Sequence, residues 1–169
     1  ALTQLLGDTR WGGEDGLDYL VVDLPPGTGD IQLTLAQKIP VAGAVIVTTP
    51  QEIATLDARK ALKMFEKVNI ATLGLVENMA QHVCSNCGHV EHLFGQGGAT
   101  QMAQAYGVPM LGSLPLEARI REQGDVGTPL VAAQPDSTAA QAYRDVARRL
   151  IEELEKRPRA KTSISASLL

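Results

Sequence analysis

The sequence predicts an α/β fold in which a mostly parallel sheet is flanked by helices. Short continuous apolar runs alternate along the chain with stretches whose apolar residues recur at helical spacing. Prolines and glycines separate these segments. An alternating order of strands and helices is typical of parallel sheets, because each parallel connection crosses over through a helix.

Four apolar runs are predicted to form the strands. The first covers residues 19–24, and the continuous apolar run at residues 20–22 indicates a strand that is buried on both faces. The second covers residues 43–49 and is ended by Pro50, which cannot donate to a ladder. The third covers residues 72–77 and the fourth residues 110–114. The order of these runs places helices between neighbouring strands.

Helices are predicted from the apolar stripes. The first stripe covers residues 55–68, and shorter helices are expected over residues 99–106 and 116–123. The last helix has the clearest start, because Pro135-Asp136-Ser137 is a capping signal and the apolar stripe then continues from residue 140 to 154. Pro158 lies just beyond its end.

Composition predicts one globular domain. Hydrophobic residues make up 44% and charged residues 20% of the 169 residues, so residues 1–157 are assigned to one domain and the small, polar residues 158–169 to a flexible tail. The net charge of -4 predicts no broad basic face for nucleic acid. No apolar run approaches the roughly 18 residues of a membrane span, and no signal sequence is seen. We therefore expect a cytoplasmic protein in a reducing compartment.

The first predicted strand ends in an acidic residue that is followed by a glycine-rich turn. Asp23 precedes Pro-Pro-Gly-Thr-Gly-Asp at residues 25–30. Ligands of open α/β sheets bind beyond the carboxyl ends of the strands, and an Asp there can order Mg²⁺, as in P-loop NTPases. Gly27 would let a backbone N–H approach a terminal phosphate, and Thr28 and Asp30 would belong to a loop that senses it. An ordinary turn after a strand is the alternative.

The two cysteines are the second chemical feature. Cys84 and Cys87 lie in a predicted loop over residues 78–98, and two intervening residues let both sulfurs reach one metal site. Gly88 permits a tight turn there. Because a cluster or a tetrahedral zinc needs about four ligands, two thiolates per chain point to a symmetric dimer.

Three other interpretations of the thiol pair stay open. His82, His89 and His92 lie nearby, so a Cys2His2 zinc site within one chain is arithmetically possible, although the spacing differs from that of zinc fingers. A thioredoxin-like pair should open a helix after a strand, which this loop does not do. The thiols could also be incidental.

Residues 18–30 resemble the Walker B and switch II segment of the Mrp/ApbC family. These proteins are ATPases of the MinD/ParA-like branch of P-loop proteins that serve in iron–sulfur cluster assembly. The resemblance covers nearly the whole chain before the tail. It continues through residues 48–52, 77–79, 84–88, 94–98, 111–116 and 125–129.

The resemblance implies a MinD-like fold and the magnesium and phosphate roles given above to the acidic turn, with ATP as the nucleotide. It also implies that Asn78 reads the base edge of adenine and that Pro115 borders the base; a strand-end turn residue is the alternative for Asn78. For Cys84 and Cys87 it implies a [4Fe–4S] cluster that bridges a homodimer. The expected function is an ATP-dependent carrier that delivers the cluster to apo iron–sulfur proteins.

One element of the family is absent from the sequence, which holds no G-x-x-x-x-G-K-[ST] phosphate-binding loop. In the family this loop lies upstream, so we expect a fold that is incomplete on its N-terminal side. ATPase activity is then expected of a longer parent protein and not of this chain alone. Two other functions remain: a positioning ATPase of the MinD or ParA sort, and a non-catalytic interaction module stabilised by zinc.

Overall fold

The computed structural model describes residue 4, residues 8–12, residue 14, residues 16–24 and residues 41–157. Strands and helices alternate along the described part of the main sheet. A small hairpin lies between the second and third strands of that sheet. They are β1 Ala44–Thr48, α1 Glu52–Lys67, β2 Thr72–Glu77, β3 His82–Val83, β4 Val90–Glu91, α2 Gly98–Tyr106, β5 Met110–Ser113, α3 Ala118–Asp125, α4 Leu130–Ala133 and α5 Thr138–Glu155.

Three parallel strands form the main sheet in the order β1-β2-β5. Ile46 aligns with Leu75, and Glu77 aligns with both Thr48 and Ser113. The three strands therefore end at the same edge of the sheet, as parallel strands must. The predicted parallel α/β class is confirmed.

Helices cover both faces of the central strand. On β2, Leu75 is 0% exposed and its neighbour Val76 is 3% exposed, because successive side chains point to opposite faces and both faces are covered. Leu75 belongs to a core cluster with Phe65 of α1 and Met102 of α2. Val76 packs instead in a second cluster, which Val146 of α5 contacts. Each fully buried aliphatic side chain of this kind contributes about 1.5–3 kcal/mol to folding.

The helix and strand bounds agree with the sequence prediction where periodicity or capping is strong. Residues 72–77 form β2 as expected, and Ser137 caps α5 by accepting a hydrogen bond from the Ala140 N–H at 3.2 Å. Helix α1 begins at Glu52, three residues before its predicted start. Helix α4 was not predicted, since four residues are too few to show a helical period.

The prediction of a buried strand over residues 19–24 is wrong for this structure. These residues form no strand, and Val21 is 85% exposed. A strand buried on both faces needs pairing strands at its edges and helices above and below it, and within the described ranges only β2 has both. Leu24 alone reaches the core, packing against the cluster of Leu75.

Candidate functional site

The loops that follow the three parallel strands are joined by backbone hydrogen bonds. The N–H of Asn78 donates to the Thr48 carbonyl at 2.7 Å, and the N–H of Leu114 donates to the Glu77 carbonyl at 2.8 Å. The N–H of Ala80 then donates to the Leu114 carbonyl at 2.9 Å. The ladder thus continues beyond the strands and holds the three loops side by side at the carboxyl edge, where open α/β sheets bind ligands.

Asn78 and Pro115 lie on neighbouring loops of this edge. Both are partly buried. The side-chain Oδ1 of Asn78 accepts a hydrogen bond from the Met79 N–H at 2.9 Å, and Met79 has a positive φ of 54°. Asn78 therefore shapes the turn after β2, while its side-chain NH₂ remains a donor for a ligand. The fold brings the two predicted adenine-site residues to the same edge.

Glu77 is a site residue that sequence reasoning missed. Its carboxylate is 5% exposed at the end of β2 and accepts a hydrogen bond from the Ala99 N–H, in the first turn of α2, at 2.8 Å. A carboxylate there complements the positive end of the helix dipole. An acidic residue that ends an otherwise apolar strand was the available signal.

The start of α2 also contacts the loop after β1. A Cβ on Gly98 would lie 2.3 Å from the Pro50 carbonyl oxygen, so only glycine allows this approach. In the same loop, the hydroxyl of Thr49 contacts Oε1 of Gln51. The loops after β1 and β2 are thereby both fixed to the N-terminus of α2.

The cysteines lie in the six-residue turn, residues 84–89, of the antiparallel β3–β4 hairpin. The N–H of Cys84 donates to the His89 carbonyl at 2.9 Å, and the N–H of Gly88 donates to the Cys84 carbonyl at 2.8 Å. Gly88 has a φ of 72°, a conformation that glycine adopts without strain. Both thiols are free; Cys84 is partly buried and Cys87 is exposed.

Backbone groups of the turn activate one thiol. Hydrogen bonds from the backbone of Cys87 and then of Asn86, together with the Cys87 side chain, lower the pKa of the Cys84 thiol, against opposing contributions from burial and from Glu91. The thiolate is the form that binds metals. The turn therefore favours the thiolate of Cys84 and presents it beside the exposed thiol of Cys87.

Two of the three histidines near the cysteines contact backbone carbonyls. Nδ1 of His82 lies 3.1 Å from the Leu116 carbonyl oxygen, and Nδ1 of His92 lies 3.0 Å from that of Ala80. Within the described residues, no group of three or more His, Cys, Asp or Glu side chains could hold a metal ion. A Cys2His2 zinc site within one chain therefore receives no support from the described part.

The acidic turn is described only at its beginning. Asp23 is exposed and follows the segment that forms no strand, so the structure does not place it at a strand end. The other three predicted site residues of this turn, Gly27, Thr28 and Asp30, lie outside the described residues, as does the predicted tail over residues 158–169. No helix of the described part is long and apolar enough to span a bilayer.

The parallel sheet, covered by helices on both faces and with its loops joined at the carboxyl edge, resembles the fold of MinD-like P-loop NTPases. Two solved structures show this likeness. A nucleotide-binding protein from Archaeoglobus fulgidus, solved in complex with ADP, is 42% identical with a TM-score of 0.66, over 75% of this chain and 51% of that one. The cell division ATPase MinD of Pyrococcus furiosus is 27% identical with a TM-score of 0.60, over 85% and 53%.

The chain belongs to the ParA family described as NUBPL iron-transfer P-loop NTPases, whose model matches residues 1–151. An iron-sulfur cluster carrier protein of Pseudomonas fragi is 63% identical over 87% of this chain and 50% of its own length. The iron-sulfur cluster carrier protein of Escherichia coli strain K12 is 55% identical over 91% and 41%. The iron-sulfur cluster transfer protein NUBPL of Mus musculus is 49% identical over 94% and 49%. The chain thus spans half or less of the length of these relatives.

Proposed function

We propose that residues 1–157 form the C-terminal portion of an ATP-dependent iron–sulfur cluster carrier. The carrier holds a [4Fe–4S] cluster on Cys84 and Cys87 and delivers it to apo iron–sulfur proteins in the cytoplasm. The observation that carries this proposal is the hairpin turn that holds both free thiols, Cys84 partly buried and Cys87 exposed; backbone hydrogen bonds in the same turn lower the pKa of the Cys84 thiol. The names of the relatives agree with this cargo.

The cluster is proposed to lie between two copies of the chain. A [4Fe–4S] cluster takes about four thiolates, whereas one chain supplies two and the described residues offer no third ligand beside them. Residues 85–93 are all exposed, so a copy related by twofold symmetry has room to bring its own pair to the same cluster. Two ligands from each side also suit a cargo that must be released.

The nucleotide is proposed to bind at the carboxyl edge of the sheet. Asn78 offers its side-chain NH₂ to the adenine edge, and Pro115 borders the base. Asp23 is proposed to orient Mg²⁺, with the turn that contains Gly27, Thr28 and Asp30 beside the terminal phosphate. Bound Mg²⁺–ATP supplies the binding energy by which the nucleotide-bound state of these loops differs from their nucleotide-free state.

Neither alternative function is favoured by an observation of this structure. A positioning ATPase of the MinD sort shares the fold but has no use for two free thiols in the turn of a hairpin. A zinc-stabilised module would need a ligand set that the described residues of one chain do not assemble.

The deciding experiment is anaerobic reconstitution of the full-length protein with iron and sulfide. We expect about two irons and two sulfides per chain, a dimer by light scattering and transfer of the cluster to an apo recipient. Cys84→Ser and Cys87→Ser should each abolish cluster binding. Ser85→Ala, in the same turn, is the matched control and should leave it unchanged.

Two results would refute the proposal. One is a loaded protein that stays monomeric. The other is a variant without Cys84 and Cys87 that still binds a full complement of iron.

A further inference from the structure

The cysteine hairpin, residues 82–92, has little buried surface of its own. Residues 85–93 are exposed, and the cross-strand pair Val83 and Val90 is 42% and 46% exposed. A segment with so few buried contacts is not oriented by apolar packing. Its orientation relative to the sheet must then depend on polar contacts near its base.

Two imidazoles make such contacts from the two arms of the hairpin. Nδ1 of His82 faces the Leu116 carbonyl at 3.1 Å, and Nδ1 of His92 faces the Ala80 carbonyl at 3.0 Å. Because a carbonyl oxygen can only accept, each Nδ1 carries a hydrogen and donates it. By contrast, the ring of His89 makes no hydrogen bond to any residue that the structure describes, although it lies in the same hairpin.

The accepting carbonyls belong to the two loops that hold the proposed nucleotide contacts. Leu116 directly follows Pro115, and Ala80 lies two residues after Asn78. The two loops are themselves joined, since the Ala80 N–H donates to the Leu114 carbonyl at 2.9 Å. A displacement of either loop therefore moves an acceptor on which one arm of the hairpin depends.

We propose that His82 and His92 are positioning residues that fix the cysteine hairpin to the loops after β2 and β5, so that nucleotide binding at those loops changes the exposure of the thiols. This coupling rests on the proposed function for the identity of the nucleotide and of the cargo. The imidazoles touch neither the nucleotide nor the cluster; they act through the orientation of the hairpin. Losing one such hydrogen bond shifts the equilibrium between the hairpin held to these loops and the hairpin released from them by about twofold to tenfold.

The test compares two double variants of the full-length protein without its cluster. His82→Phe with His92→Phe keeps flat rings but removes both donors, whereas His82→Asn with His92→Asn keeps a side-chain N–H close to the position of Nδ1. His89→Phe is the matched control. The readouts are amide hydrogen exchange of Cys84 and Gly88 and the rate at which iodoacetamide alkylates the thiols, with and without Mg²⁺–ATP.

We expect Mg²⁺–ATP to change the alkylation rate by about twofold to tenfold in the unchanged protein and in the His89 variant. The Phe pair should exchange its hairpin amides faster and lose this nucleotide effect, while its affinity for ATP stays unchanged. The Asn pair should recover the effect. Each Phe substitution is also made singly, so that a folding defect in the pair does not decide the result.

The coupling is overturned if the Phe variants keep the full nucleotide effect, or if the unchanged protein shows none. Neither result contradicts the proposal that Cys84 and Cys87 bind the cluster. Failure of the unchanged protein to take up a cluster would instead refute the carrier function, so the two failures are distinguishable.

Discussion

The buried carboxylate of Glu77 accepts a hydrogen bond from the backbone N–H of Ala99 at 2.8 Å. The two residues are 22 positions apart, and the whole cysteine hairpin lies between them. This bond joins the end of β2 to the start of α2. It thereby closes the segment of residues 78–98, which carries the thiols. It is a contact between strand and helix on which the geometry of the site depends.

Replacing Glu77 should lower stability. Glu77→Ala leaves the Ala99 N–H without its acceptor in a buried place, which should cost about 1–3 kcal/mol in the free energy of unfolding. Glu77→Gln keeps an acceptor but loses the charge at the helix N-terminus, so its cost should be smaller. Urea unfolding followed by circular dichroism measures both, with the exposed Glu66→Ala as control. Equal stability of Glu77→Ala and Glu66→Ala would contradict the role given to this bond.

An added methyl group at Gly98 should also destabilise the fold. The new Cβ would lie 2.3 Å from the Pro50 carbonyl oxygen, so α2 or the loop after β1 must shift, at about 1–3 kcal/mol. Gly124→Ala in α3 is the matched control, because its added Cβ would meet no described atom within 4 Å apart from its chain neighbours and the backbone of its own helix. That variant should be stabilised by up to about 1 kcal/mol. Thermal unfolding that ranks the two variants in the opposite order would disprove the close approach.

The lowered pKa of Cys84 should appear in its reactivity. In the folded protein, the rate of alkylation of Cys84 should reach half its plateau at a lower pH than in denaturant, because the backbone of Cys87 and then of Asn86 favours the thiolate. Since the folded pKa lies below the unfolded one, the thiolate stabilises the fold above the unfolded pKa. This contribution is lost as pH falls through the folded value. Mass spectrometry of alkylated peptides over a pH series gives both midpoints; coinciding midpoints would exclude the effect.

The 169-residue chain by itself should hydrolyse ATP no faster than background. Its sequence holds no G-x-x-x-x-G-K-[ST] loop, and that loop with its lysine positions the phosphates for transfer. Phosphate release from the purified chain is the measurement, and the full-length protein serves as the positive control. Turnover that disappears on Asp23→Asn would contradict this expectation and require a phosphate-binding element of another kind in this chain.

Local sequence signals accounted for much of the fold. The mostly apolar run over residues 72–77 predicted β2 with its observed bounds, because a strand covered on both faces is apolar along most of its length. Ser137 predicted the start of α5, because a capping side chain satisfies N–H groups of the helix that it begins. The pair Cys84 and Cys87 with Gly88 predicted the tight turn in which both thiols lie.

The sequence by itself determined the class of fold, most of the strands and helices and the turn that holds the two thiols. These features follow from periodicity, capping and turn chemistry, which act between residues close together in the chain. Only the tertiary structure decided that residues 19–24 form no strand, that Glu77 meets Ala99 and that His82 reaches Leu116. Each of these depends on which distant segments come to lie side by side. A strand exists only with a pairing neighbour, and a buried polar group is stable only beside its partner.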